Sequence, residues 1–146
     1  AAQILEQINQ ILGIMQAVLV GIAAISLLVG AIGIMNSMYT SVLERTKDIG
    51  IMKAIGARNS DILQIFLIES GMIGLVGGLL GTALGTGMAL AIGSFSKKAG
   101  FLLIINIEVL VLAFGLLFAF VIGMVSGVLP AYQASKLKPV DALRYE

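Results

Sequence analysis

Residues 7–43 read QINQILGIMQAVLVGIAAISLLVGAIGIMNSMYTSVL, 37 residues with no charged side chain between Glu6 and Glu44. A helix needs roughly 20 apolar residues to cross the hydrocarbon core of a bilayer. Two further neutral runs, 70–96 and 109–135, hold 27 residues each and also clear that length. The chain therefore reads as an all-α integral membrane bundle with three transmembrane helices. A large soluble protein can bury such helices only inside a polar shell. Here 12% of the 146 residues are charged, about half the usual share of a soluble domain, so that shell is lacking.

The same composition excludes several functions. A net charge of +1 provides no basic field for nucleic acid. The chain has no cysteine and no histidine, so disulfides, thiol chemistry and the commonest metal ligands are gone, and no metal site is expected. An intramembrane enzyme would need an activated nucleophile, and the spans offer mainly Ser26, Thr82, Thr86 and Ser126. Those hydroxyls suit hydrogen bonds within or between helices. No charge lies inside the three runs, and Glu69 and Glu108 sit at their edges. That argues against an ion-coupled carrier or a channel.

Orientation follows from Lys and Arg in the loops. Residues 44–69 carry Arg45, Lys47, Lys53 and Arg58, and the tail carries Lys136, Lys138 and Arg144. Three spans place these two segments on one side. Seven cations against the two of Lys97 and Lys98 make that side the cytoplasm. The assignment is then 1–10, the end of an extracytoplasmic connection; 11–43, a span; 44–69, a cytoplasmic loop; 70–96, a glycine-rich span; 97–108, an extracytoplasmic loop; 109–135, a span; and 136–146, a cytoplasmic tail. The N-terminus falls outside with no cationic leader before it. At least one upstream span, joined by an extracytoplasmic segment, is expected.

In the second span Gly74 and Gly78, Gly77 and Gly81, and Gly81 and Gly85 are each four apart. Small residues at that spacing let helix backbones approach closely in lipid. Static packing and a sliding interface both fit the pattern. Gly21, Gly30 and Gly33 repeat it more weakly in the first span.

The cytoplasmic loop reads ERTKDIGIMKAIGARNSDILQIFLIE over 44–69. A helix from about Tyr39 to Ile55 is expected to continue the first span. It carries an apolar stripe of Ile51, Met52 and Ile55 and a polar face of Glu44, Arg45, Lys47, Asp48 and Lys53. Gly56 suits a helix stop. Asn59, Ser60 and Asp61 suit the N-cap of the next helix, and Asp61 with Gln64 resembles a capping box. Such a helix can lie on headgroups or dock on a protein. Its mixed charge favours the protein.

The run from Ser41 to Arg58, SVLERTKDIGIMKAIGAR, resembles the signature of the FtsX-like permease family, and especially its MacB-like branch. Pro130-Ala131, Ala134 and the closing PVDALRYE of 139–146 resemble that family's final motif, and Asn36 and Met38 its first-span ending. The likeness runs from about Ile11 to Glu146. It implies the permease subunit of an ABC transporter in the inner (cytoplasmic) membrane, working as a homodimer with two ATPase subunits or domains. It implies four spans, of which these three would be the last, with a large external domain after the missing first. Glu44 to Arg58 would be the coupling helix, with Glu44, Arg45, Lys47, Asp48, Ile51, Met52, Lys53, Ile55, Gly56 and Arg58 as its ATPase-docking residues. Acting as a rigid extension of the first span, it would carry ATPase closure across the bilayer. The chain has no G-x-x-x-x-G-K-[ST] phosphate loop, so it is not expected to be an enzyme itself. ATP and Mg would be cofactors of the partner ATPase, with none in this chain. The MacB-like branch implies efflux or extraction of a substrate, with an extracytoplasmic adaptor as a further partner. The FtsX-like alternative is a signalling subunit that regulates cell-wall hydrolases. A helical membrane subunit without any ATPase is the remaining competitor.

Overall fold

The computed structural model describes residues 2–98 and 108–137. Most of the 97–108 loop, and the tail from 138 onward with its 139–146 motif, lie outside the described residues. Every described element is a helix: α1 (Ala2–Glu44), α2 (Thr46–Ala54), α3 (Asn59–Lys98) and α4 (Val109–Ser135). α1, α3 and α4 are long and apolar enough to cross a membrane. At 1.5 Å per residue, α1 is roughly 65 Å long, about twice the hydrocarbon thickness. The 1–10 stretch, expected as a connection, is helical from Ala2 onward. The helix expected to enter the second span from the capping residues at 59–61 begins at Asn59 and runs unbroken to Lys98.

The chain divides into two compact units, 1–33 and 34–146. In the first, every residue from Gln3 to Gly30 is exposed. Its isoleucines, leucines and valines project all round the helix. Water does not tolerate such a surface, and lipid or protein neighbours do.

In the second unit the buried residues form one cluster. Met38 and Val42 come from α1, Ile49 from α2, Ile62 and Phe66 from α3, and Ala131 and Ala134 from α4. All four helices therefore meet at the end of the bundle that carries α2. Further along, α3 packs on α4 where small residues let the backbones touch. A Cβ on Gly74 would meet the Ala119 carbonyl, and also the Gly123 Cα at 2.8 Å. One on Gly78 would meet the Ala119 Cβ at 2.6 Å.

The span hydroxyls are satisfied on their own helices. Ser26 donates to the Ile22 carbonyl at 2.9 Å and Thr82 to Gly78 at 2.8 Å. Thr86 donates to Thr82 at 2.6 Å and Ser126 to Ile122 at 2.7 Å. Pro130 lies inside α4 and is buried. Lacking an N–H, it leaves the Ser126 carbonyl without its helical donor.

Candidate functional site

The site of interest is α2 and the turns that frame it. The expected single helix from Tyr39 to Ile55 is broken at Arg45, which has φ −99° and ψ 13°. Its backbone N–H still reaches the Ser41 carbonyl at 3.1 Å. The Thr46 hydroxyl donates back to the carbonyls of Val42 and Leu43 at 3.0 and 2.9 Å. A hydroxyl bonded back into the preceding turn bends a helix. α2 is therefore a separate nine-residue helix, set off from α1 by the break at Arg45.

Its far end is closed by Gly56, at φ +106°. The Gly56 N–H donates to the Lys53 carbonyl at 3.1 Å and the Ala57 N–H to Met52 at 3.0 Å. This crossed pair is the Schellman arrangement, which needs a glycine at that place. α3 then starts at Asn59. The Asp61 carboxylate accepts from the Arg58 N–H at 2.9 Å. Asp61 thus reaches back to Arg58 as the third residue of a capping box. The sequence pattern had placed that box three residues later, with Asp61 as its first member and Gln64 as its third.

The faces of α2 differ from the expected stripe. Ile49 and Gly50 are buried, and Met52 packs against the same core. Ile51 is 46% exposed and Ile55 is 82% exposed. Ile51 and Met52 are a quarter-turn or more apart on a helix and point different ways. The outward face instead combines Lys47, Asp48, Ile51 and Ile55, all exposed. Glu44, Arg45, Gly56 and Arg58 are exposed as well.

Two polar links tie this region to the spans. Arg45 pairs with Glu69 of α3 at 3.4 Å. Both side chains are partly solvated, so the pair contributes at most about 1 kcal/mol. Lys53 donates from its ammonium to the carbonyls of Ser135 and Leu137, the latter at 2.7 Å. Partial desolvation holds its pKa below that of an ordinary lysine. Beside it, the Lys136 ammonium stands 4.4 Å from the Tyr132 ring centre.

The candidate packing glycines separate into two groups. Gly74 and Gly78 lie against α4, whereas Gly77, Gly81 and Gly85 have open space where a Cβ would go. Ser70, Gly71, Gly123 and Gly127 also line the α3–α4 contact and did not stand out in the sequence. A Cβ on Gly127 would run into the Ser70 hydroxyl, and one on Gly71 would lie 2.7 Å from the Phe120 ring. The spacing of Ala119, Gly123 and Gly127, each four apart, was the signal that could have found the α4 side.

The FtsX-like permease C-terminal family matches residues 20–139. An uncharacterized ABC transporter permease of Methanocaldococcus jannaschii is 46% identical, covering 100% of this chain and 37% of its own length. The macrolide export ATP-binding/permease protein MacB of Bdellovibrio bacteriovorus is 50% identical over 99% of this chain and 22% of its own. An uncharacterized ABC transporter permease of Bacillus subtilis is 46% identical over 99% of this chain and 35% of its own. The chain thus spans well under half the length of each of these relatives. With 120 of its 146 residues inside the matched region, this multi-pass membrane chain belongs to the FtsX-like permease family, in its C-terminal part.

Proposed function

We propose that this chain is the membrane-embedded coupling part of an ABC transporter permease, with α2 docking on a cytoplasmic ATPase. The carrying observation is the outward face of α2. Ile51 and Ile55 stand exposed beside Lys47 and Asp48, while the opposite face is buried in the bundle. Leaving an isoleucine in water instead of a contact forgoes about 1.5–3 kcal/mol. An apolar pair inside a rim of both charge signs suits a protein groove better than anionic headgroups, which select excess Lys and Arg. The name of the Bdellovibrio relative joins ATP-binding to permease activity, which supports an ATPase as the partner.

In this reading ATP and Mg bind the ATPase, and its closure displaces α2. The span lengths carry that displacement beyond the far membrane surface. Two copies work as a homodimer in the cytoplasmic membrane, and the outcome is efflux or extraction of a substrate, with an extracytoplasmic adaptor as a further partner. Ile55→Asp places a charge in the docking face without touching the bundle core. In the full-length protein it should abolish a chemical cross-link between α2 and the ATPase subunit or domain while leaving the melting temperature within a few degrees of the parent. An undiminished cross-link in Ile55→Asp would remove this reading.

A further inference from the structure

α4 ends at Ser135, where the Gln133 and Ala134 carbonyls accept from the Lys136 and Leu137 N–H groups. Lys53 supplies a donor to the carbonyls that follow, from another element. Its ammonium bonds the carbonyls of Ser135 and Leu137, 82 and 84 residues away in sequence. A cation is also favoured at this helix end by the macrodipole. The apolar contacts of Ile49 and Met52 hold α2 near the bundle but do not fix its rotation or slide. Two directed, charge-assisted bonds to backbone atoms do, because a carbonyl at a helix end cannot swing away as a side chain can.

The break at Arg45 adds an independent point. α2 leaves α1 through a break in the helix at Arg45, so the two are not one continuous rod. A second link into the spans then gives its motion another route. We propose that Lys53 is a positioning residue that clamps α2 to the end of α4, so that displacement of α2 is delivered to the α3–α4 pair. The origin of that displacement rests on the docking reading above. The clamp itself does not.

The test uses the full-length protein in lipid nanodiscs, with spin labels at Lys47→Cys and Gln133→Cys. This chain has no cysteine of its own, and both positions are exposed. Pulsed electron resonance then reads the α2–α4 distance, without nucleotide and with the ATPase complex bound to ATP. With Lys53 present, one narrow distance is expected in both states. Lys53→Met keeps the apolar stem and removes the donors, and should lose the single distance in favour of a broad distribution. Lys53→Arg keeps donors within reach and should retain the narrow one. A narrow, unchanged distance in Lys53→Met overturns the clamp, and so does equal broadening in Lys53→Arg and Lys53→Met. The cross-link between α2 and the ATPase subunit or domain is scored separately. Its absence from the parent protein removes the docking reading, while the nucleotide-free distances still decide the clamp.

Discussion

At the residue scale, Gly56 shows how one position sets a turn. With φ at +106° it occupies backbone space that side chains with a Cβ rarely enter. No atom lies within 4 Å of where a Cβ would stand, so the penalty for any other residue is conformational, not steric packing. Gly56→Ala should therefore lower stability by about 1–2 kcal/mol, the order of the left-handed penalty. Thermal unfolding of the purified protein in detergent measures this, and an unchanged midpoint would contradict it. The glycine was legible in the sequence because it follows a helical pattern and precedes good N-cap residues. Lys53 was not legible in the same way. It sat on the polar face of the pattern, and its carbonyl partners lie more than 80 residues away. Local spacing carries no information about such a pairing. Asp61 was recognised as a capping residue but assigned the wrong register, because the first helical residue is Asn59 and the cap is Arg58.

At the element scale, the α3–α4 contact separates glycines that look alike in sequence. Gly74 faces the Ala119 carbonyl and the Gly123 backbone, whereas Gly77 faces open space. Gly74→Ala must push the helices apart, an overpacking worth about 1–3 kcal/mol. Gly77→Ala meets nothing in this chain and gains up to about 1 kcal/mol in helix propensity. The two melting temperatures should therefore move in opposite directions, with Gly74→Ala lower. Equal shifts would contradict the packing described. Glycine spacing alone could not make this division. Gly81 and Gly85 stand seven residues on from Gly74 and Gly78, on much the same side of the helix, yet have open space where a Cβ would go, and only the position of α4 distinguishes them. The reading of α2 met the same limit. A stripe of Ile51, Met52 and Ile55 assumes that all three share the side that docks on a partner. The turn at Arg45 and the burial of Ile49 rotate Met52 inward and leave the two isoleucines out. Met52→Asp would therefore strike the core as well as any docking surface, and Ile55 is the cleaner probe.

At the scale of the whole molecule, the three spans were legible because charge is absent from long runs, and hydrocarbon enforces helices whatever their glycine content. The helix leading into the second span was legible from its capping residues at 59–61, whereas the span itself was bounded at 70 by the charged residues at 61 and 69. In the structure they sit on a helix continuous with the span. The four-helix cluster at the α2 end explains why this extension exists. Ile62 and Phe66 bury themselves there against α1, α2 and α4, so α3 needs its lower turns to complete that core. The bundle thus holds one face of α2 tightly and leaves the other free. The proposed coupling depends on what occupies that free face. A photo-activatable amino acid at position 55, in the full-length protein in living cells, reads its neighbour directly. Docking predicts a light-dependent adduct with the ATP-binding subunit or domain. Adducts with lipid alone, or with proteins on the outer side of the membrane, would contradict it.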